Sequence, residues 1–208
     1  MSVKLLKDKT EILIIAAGAS VRLGSPKQLL PWGKTTLLGN TVELALNTGI
    51  KNINLVLGAH FEEVKASVSN YKLNIHYHAS WQQGMGSSIA FGVTQILQQQ
   101  RNTEAIIILL ADQPLIDSAF INRLLECNAQ YPQQIIATSY GNRFGVPAIF
   151  PNFFFTDLIG LKGDTGAREV LNNLNTPIIA VDGENKLTDI DTLGDYQKLK
   201  SRTQRPGI

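Results

Sequence analysis

The chemically suggestive part of the sequence nearest the N-terminus is a loop of small residues and cations that follows an apolar run. The loop reads AAGASVRLGSPK, in which Ala16, Ala17 and Gly18 are small enough for the main chain to approach a ligand closely. Arg22 and Lys27 add positive charge, and free backbone N–H groups in such a loop suit a polyphosphate. The spacing matches neither G-x-x-x-x-G-K-[ST] nor G-x-G-x-x-G. We therefore predict a phosphate-binding loop, with an ordinary turn as the alternative.

A carboxylate follows the most apolar run of the chain, AIIILLA over residues 105–111, and opens the triplet Asp112-Gln113-Pro114. In open α/β sheets, ligands bind beyond the carboxyl ends of the strands. A carboxylate there needs a cationic partner, and a divalent metal is a suitable one. The alternative is that Asp112 caps the next turn, which Pro114 stiffens.

Two more carboxylates lie near the end of the chain, in the sequence DIDT that starts at Asp189. A strand through this segment would place Asp189 and Asp191 on one face, where their repulsion calls for a cation or a basic side chain. Together with Asp112, they predict a magnesium site in which Asp191 is favoured over Asp189. The alternative is an acidic segment before a helix over 194–200, with Asp191 or Thr192 as the N-cap.

Two glycine-containing segments are each predicted to open a helix and to contact a substrate. In the first, Gly86, Ser87 and Ser88 offer N–H and hydroxyl groups to a nucleotide base or ribose, although Ser87 also suits an N-cap. The second, LKGDTGAR, contains Asp164 and Arg168 and suggests a second anion site for a phosphorylated substrate. Its alternative is a capping Asp164 beside a surface Arg168.

The elements that position these residues follow from alternating apolar runs and helical patterns, which predict a wound α/β sheet. Strands are predicted over 12–16, 53–57, 73–77, 105–111 and 135–139, with helices over 37–48, 62–69, 87–99 and 118–130. Later segments predict a strand over 146–150, helices over 152–160 and 165–174, and a strand over 177–181, one element being antiparallel.

Composition limits the class of protein. The 208 residues, 44% hydrophobic and 17% charged, predict one globular domain over 1–200 and a flexible tail over 201–208. A net charge of +2 gives no support to nucleic-acid binding, and the single Cys127 excludes an internal disulfide. The N-terminal apolar run is too short for a signal or membrane helix, so we expect a cytoplasmic protein with no membrane partner.

The motifs taken together resemble a known family. The loop at 16–27, the LADQP sequence at 110–114, the Gly145-Val-Pro147 triplet and the DIDT sequence are similar to those of nucleotidyltransferases of the molybdenum-cofactor type. The resemblance implies a Rossmann-like three-layer α/β sandwich with a mixed, mostly parallel central sheet, of the nucleotide-diphospho-sugar-transferase type.

The resemblance also implies residue roles. Gly18, Arg22 and Lys27 would bind nucleoside triphosphate phosphates, while Asp112 and Asp191 would hold Mg²⁺. Lys27, Arg22 and Asp112 would form the catalytic group. A phosphate monoester is already anionic at neutral pH, so this chemistry needs positioning and charge neutralisation but no Ser-His pair.

The guanylyl-transferring branch of the family tends to have two glycines where this chain has Ala17 and Gly18, so the resemblance implies CTP. The expected reaction transfers CMP from CTP to the phosphate of molybdenum-molybdopterin, which Gly145, Pro147, Asp164 and Arg168 would bind. Relatives usually have serine at position 86, and proline followed by an acid where this chain has Leu193 and Gly194.

Two other functions suit the same sheet, because a fold alone does not assign chemistry. One is a nucleotide-binding oxidoreductase. The other is a carrier without turnover that hands the finished cofactor to a molybdenum hydroxylase.

Overall fold

A seven-stranded sheet forms the centre of the computed structural model, which describes residues 3–172 and 177–203, except for the side chains of Val3, Lys4, Arg22 and Thr203. The spatial order of the strands is β5-β4-β1-β6-β8-β7-β9. Their bounds are β1 (Thr10–Ala16), β4 (Asn52–Leu57), β5 (Asn74–Tyr77), β6 (Ala105–Leu110), β7 (Ile135–Ser139), β8 (Phe144–Pro151) and β9 (Ile178–Asp182). A short hairpin of β2 (Pro31–Trp32) and β3 (Thr35–Thr36) lies outside this sheet.

The described helices cover both faces of the sheet. They are α1 (Val3–Asp8), α2 (Leu37–Asn47), α3 (Phe61–Ser67), α4 (Met85–Gln98), α5 (Ser118–Gln130), α6 (Phe155–Ile159), α7 (Arg168–Leu171) and α8 (Leu193–Thr203). Helices α2 and α5 pack Leu38 and Phe120 on one face, while α4 and α6 pack Ile89 and Leu158 on the other. The predicted three-layer α/β sandwich is therefore confirmed.

The sheet is mixed and mostly parallel, as predicted. Strand β1 pairs in parallel with β4 and β6, β4 with β5, and β7 with β9, while β8 is antiparallel to both β6 and β7. The chain adds β4 and β5 on one side of β1 and then adds β6 on the other. This change of direction opens a crevice at the carboxyl ends of β1 and β6, where such sheets bind ligands.

Three predicted elements differ from those observed. No strand forms through Asp189 and Asp191; the segment is irregular, and its Ile190 N–H donates to the carbonyl of Asp112 at 2.9 Å. The helix predicted over 165–174 is limited to α7, and positions 173–174 lie outside the described residues. The helix predicted over 152–160 divides into a 3₁₀ turn and α6.

Helix α8 closes the sheet's carboxyl-end side. It packs Tyr196 and Leu199 with Trp32, Leu37 and Ile190 in a separate small core. The helix includes residues 201–203, which the sequence assigned to a tail, while residues 204–208 lie outside the described chain. In the part of the chain that the structure covers, no helix is both long and apolar enough to cross a membrane.

Candidate functional site

Two cavities open at the crevice between β1 and β6, and Lys27 and Asp112 line both of them. The smaller, of about 300 Å³, is bounded by the loop after β1, by Trp81 and by the start of α4. The larger, of about 350 Å³, is bounded by β8, by the segment leading into α7 and by Asp189 and Asp191. Two ligands bound in these cavities would therefore meet at Lys27 and Asp112.

The ammonium group of Lys27 lies between two carboxylates. Its Nζ is 2.5 Å from Asp112 Oδ2 and 3.6 Å from Asp191 Oδ1, and it donates to the Ile190 carbonyl at 3.3 Å. The Lys27 and Asp112 side chains are 19% and 13% exposed, whereas that of Asp191 is 57% exposed. The predicted convergence of Asp112 and Asp191 is thus present, with a lysine as their shared cation.

Gln28, which no sequence motif marks, shapes the loop after β1. Its buried amide donates to the carbonyls of Ala16 at 2.9 Å and of Gly18 at 2.8 Å. Ser20 adopts a left-handed conformation, with φ of 55°, and its hydroxyl accepts from the Lys27 N–H at 3.0 Å. These bonds fold the loop back on itself and bring Lys27 towards Asp112.

The larger cavity contains a hydrogen-bonded chain next to the carboxylates. The Gln113 amide donates to Asp189 Oδ1 at 2.9 Å and to the Tyr140 hydroxyl at 2.8 Å, and that hydroxyl donates to the Val146 carbonyl at 2.5 Å. Burial raises the pKa of Asp189, and the charges of Asp112 and Asp191 raise it further. Burial, together with the Asp189 charge, raises the pKa of Tyr140 to about 12, so its hydroxyl stays protonated as a donor.

Asp112 and Asp191 are also the residues best placed to hold a divalent cation. Asp112 Oδ1 is buried and has no hydrogen-bond partner among the described residues, so it is available as a ligand. Its carboxylate accepts no backbone N–H there, which contradicts the alternative of a turn cap. No group of three or more His, Cys, Asp or Glu side chains in the described ranges forms a metal cage. Two carboxylates completed by substrate phosphates fit the way Mg²⁺ is usually bound.

The predicted nucleotide-binding residues divide into two groups. Ala16, Ala17, Gly18 and Ser88 line the smaller cavity. Lys27 and Asp112, which are also predicted to bind the nucleotide, line both cavities. The side chain of Arg22, also predicted to bind the nucleotide, lies outside the described structure.

Gly86 and Ser87 line neither cavity. The Gly86 N–H donates to the Gly163 carbonyl at 2.7 Å, and a Cβ at Gly86 would lie 2.7 Å from the Lys162 carbonyl. Glycine at position 86 therefore permits the segment of Lys162 and Gly163 to pack closely on the start of α4. The Ser87 hydroxyl lies 3.0 Å from His78 Nε2. A nucleotide-binding role for either residue stays a prediction.

The predicted acceptor-binding residues are only partly brought together. Gly145, Asp164 and Arg168 line the larger cavity, and Asp164 also lines the smaller one. Pro147 lines neither cavity, which corrects its predicted place. Alternation along β8 explains this, because Val146 faces the larger cavity and the next side chain faces away from it.

Glycine is needed at position 145 for packing. A Cβ there would lie 2.8 Å from the ring of Tyr140. Tyr140 and Arg143, which also line the larger cavity, were missed in the sequence because no motif marks them. Their positions depend on the turn between β7 and β8.

The fold and the two cavities define a class of protein. A small-residue loop after β1 and a carboxylate after β6, both at the point where the sheet changes direction, are typical of nucleotide-binding α/β proteins. Residues 12–178 match the family described as the MobA-like NTP transferase domain, and the chain therefore belongs to this nucleotidyltransferase family. The family predicted from the motifs is confirmed.

Similar proteins cover nearly the whole chain. Purine catabolism protein PucB of Bacillus subtilis (strain 168) is 26% identical over 198 residues, covering 90% of this chain and 94% of PucB. Nicotine blue oxidoreductase of Paenarthrobacter nicotinovorans is 28% identical over 200 residues, with the same shares covered. The crystal structure of Rv0371c from Mycobacterium tuberculosis H37Rv has a TM-score of 0.80 and 28% identity, covering 94% of this chain and 99% of Rv0371c. Its complex with manganese has a TM-score of 0.74 and 27% identity, covering 93% and 98%.

Proposed function

We propose that this protein transfers CMP from CTP to the terminal phosphate of molybdenum-molybdopterin and releases pyrophosphate. The observation that carries the proposal is the pair of cavities that meet at Lys27 and Asp112. A group-transfer enzyme must hold a donor and an acceptor so that their reacting atoms meet in a charged setting. Two cavities with a shared ion pair provide this arrangement.

The smaller cavity suits the nucleotide. The loop after β1 offers backbone groups at Ala17 and Gly18, and open space surrounds a Cβ built at Gly18. Trp81 and Ser88 add an aromatic wall and a hydroxyl for a base or sugar. Beside Lys27, a groove of about 200 Å³ reaches from Ser20, Val21 and Leu23 to Asp191 and leaves room for the departing pyrophosphate.

The reaction needs charge neutralisation more than acid–base chemistry. A phosphate oxygen of the acceptor forms a bond to the α-phosphorus, and the bond from that phosphorus to the oxygen bridging to the β-phosphate breaks. Lys27 is placed to exchange its carboxylate partners for phosphate oxygens and to stabilise the charge that develops. Arg22 belongs to the same proposed set, on the sequence resemblance alone.

We assign a magnesium ion to Asp112 and Asp191. When bound, the ion would neutralise phosphate charge and polarise the reacting phosphoryl group. The buried, unpartnered Oδ1 of Asp112 supports this assignment, as does the manganese complex of the related Rv0371c. Asp189 is more buried than Asp191 and accepts a hydrogen bond from Gln113, so we assign it no metal.

A pyrophosphate assay tests the proposal. Purified protein is incubated with Mg²⁺, molybdenum-molybdopterin and each of CTP, GTP, ATP and UTP in turn. We expect pyrophosphate release that requires both the acceptor and the metal and is fastest with CTP. Turnover with another acceptor would keep the nucleotidyltransferase class but remove molybdopterin. No release with any triphosphate would overturn the proposal.

A nucleotide-binding oxidoreductase is the second candidate, and the observation that favours it is the 28% identity to nicotine blue oxidoreductase. The same preparation is tested for oxidation of NADH and NADPH with dye-like electron acceptors. Steady oxidation without pyrophosphate release would select this function. Tight binding of the molybdenum cofactor without either reaction would indicate a carrier.

The proposed enzyme acts in the cytoplasm, on the sequence grounds given above, and its product goes to a molybdenum hydroxylase. Comparing cofactor transfer to such a hydroxylase with and without this protein tests that partner. An unchanged rate would remove it.

A further inference from the structure

Two arginines, Arg143 and Arg168, line the larger cavity from different elements. Arg143 lies in the turn between β7 and β8, and Arg168 is the first residue of α7. Both residues are exposed, and neither side chain forms an ion pair with another residue of the described chain. Unpaired guanidinium groups on one concave surface suit an anionic ligand, because each offers a planar set of N–H donors.

The carboxylates of the same cavity form no ion pair with these arginines in the described structure. Asp112 and Asp191 share the ammonium group of Lys27, and Asp189 accepts a hydrogen bond from a neighbouring amide. The remaining carboxylate of the lining, that of Asp164, lies beyond ion-pair distance of Arg168 in the described structure. The two guanidinium groups are therefore without a carboxylate partner among the described residues and are available to a ligand.

Tyr140 fixes the backbone that carries Arg143. The Tyr140 N–H donates to the Arg143 carbonyl at 2.8 Å and closes the turn. Its hydroxyl donates to the Val146 carbonyl at 2.5 Å and accepts from the Gln113 amide at 2.8 Å, while its ring covers Gly145. The turn is thus attached to the cavity wall at several points, while the Arg143 side chain lines the cavity and can meet a ligand.

We propose that Arg143 and Arg168 together bind a phosphate group of the acceptor, and that Tyr140 is the positioning residue for Arg143. This inference rests on the proposed function, in which the larger cavity holds the acceptor. Guanidinium pairs bind phosphate through parallel N–H···O bonds that a single lysine does not reproduce. Phe144 and Val146, which line the cavity beside the arginines, suit an apolar body attached to that phosphate.

The direct test is a calorimetric titration with inorganic phosphate, in saturating CTP and without divalent metal so that no transfer occurs. We expect Arg143→Ala and Arg168→Ala each to weaken phosphate binding about tenfold, since a charge-assisted bond of this kind is worth roughly that factor. In the double variant, the fold-loss of phosphate affinity should be smaller than the product of the two single losses, because both arginines bind the same phosphate group. Arg143→Lys should show an intermediate loss.

Lys162→Ala is the matched control, because Lys162 is an exposed cation of the segment before α7 but does not line the cavity. It should leave phosphate binding unchanged. In turnover assays, the arginine variants should raise KM for molybdenum-molybdopterin and leave KM for CTP within about twofold.

Tyr140→Phe separates positioning from simple structural support. If Tyr140 acts through Arg143, then adding Arg143→Ala to Tyr140→Phe should weaken phosphate binding less than Arg143→Ala does alone. Additive losses would remove the positioning role. Melting temperatures of all variants show whether each remains folded.

Phosphate affinity in Arg143→Ala equal to that of the unaltered protein, or lowered no more than in Lys162→Ala, would overturn the arginine pair. Failure of the proposed function would be seen in a different assay, because no triphosphate would then release pyrophosphate. Phosphate titrations without CTP would still report whether the two arginines bind an anion.

Discussion

Lys27 connects the two cavities at the level of single residues, because its ammonium group contacts both Asp112 and Asp191. Without a bound ligand, this contact offsets the repulsion between two carboxylates. In the proposed reaction, a nucleoside triphosphate would offer Lys27 other anionic partners and so release Asp112 Oδ2 for a cation. Nucleotide and metal are therefore expected to bind more tightly together than separately.

Asp112→Asn tests this arrangement. The change keeps the side-chain shape but removes a charge, so turnover should fall by roughly 100-fold or more, as for other lost electrostatic groups in active sites. The metal-free melting temperature should also fall, because the mostly buried pair with Lys27 is lost. Mg²⁺ should no longer raise the melting temperature in the presence of CTP. Activity and thermal unfolding with and without Mg²⁺ measure all three effects, and near-normal turnover would exclude Asp112 from the site.

Ala17→Gly tests nucleotide choice. The Ala17 side chain is buried and borders the smaller cavity, so its methyl group limits the space for a base. We expect the unaltered protein to prefer CTP to GTP and the variant to lose part of that preference, by about 1–3 kcal/mol at most. The ratio of kcat/KM values for the two nucleotides gives the result. Ala19→Gly, in the same loop but outside both cavity linings, is the control, and equal use of CTP and GTP by the unaltered protein contradicts the idea.

Helix α8 is the element that holds Asp191 in place. The helix begins with a reciprocal cap, in which Asp195 N–H donates to Thr192 Oγ1 at 3.2 Å and Thr192 N–H donates to Asp195 Oδ2 at 2.9 Å. Tyr196 fixes the next turn by donating to the Pro31 carbonyl at 2.7 Å. Of the two N-caps considered for this helix, the structure selects Thr192, which leaves Asp191 free to face Lys27.

Thr192→Ala should therefore affect both stability and the site. Loss of the cap should lower the free energy of unfolding by about 1 kcal/mol. Looser placement of Asp191 should also raise the Mg²⁺ concentration needed for half-maximal activity. Chemical denaturation and a metal titration measure the two effects. Ser201→Ala, which removes a hydroxyl at the other end of α8, should leave the metal requirement unchanged, and a similar shift in both variants would contradict the role given to the cap.

At the scale of the whole molecule, the two ends of the sheet differ in the groups that they contain. The carboxyl ends of β1 and β6 form the cavities, whereas their amino-terminal side contains a buried polar network. Glu11 accepts from Asn54 at 2.8 Å, from Arg101 at 3.1 Å and from Thr103 at 2.8 Å, and His76 Nε2 lies 3.1 Å from Asn54 Oδ1. This network satisfies a buried carboxylate and ties β1, β4 and β5 together.

The network makes stability depend on pH through His76. Burial lowers the pKa of His76 below its ordinary 6.5, Glu11 opposes the shift and Arg101 adds to it. The unfolded chain therefore binds a proton more readily than the folded one, so this contribution is present above pH 6.5 and is lost as the pH falls through the folded pKa. Melting temperatures across that range should decline towards acid, and His76→Gln should reduce the slope. An unchanged slope would assign the pH dependence to other groups.

Local patterns in the sequence were enough for most of the fold and for part of the site. The apolar runs predicted the main strands, because strands of a covered sheet are buried on both faces. The loop from Ala16 to Lys27 and the carboxylate at Asp112 were recognisable for a similar reason. Both segments come directly after a predicted strand, and the carboxyl ends of neighbouring parallel strands lie at the same edge of the sheet.

The tertiary structure alone decided how these residues meet. Lys27 reaches Asp112 across 85 positions and the Ile190 carbonyl across 163, distances along the chain over which no local pattern extends. The same holds for Tyr140, whose hydroxyl meets Gln113, and for Pro147, which its strand turns away from the cavity. Such contacts depend on strand order, side-chain direction and turn geometry together. These are set by the packing of the whole sheet, because burial and hydrogen bonding must be satisfied across all of its layers at once.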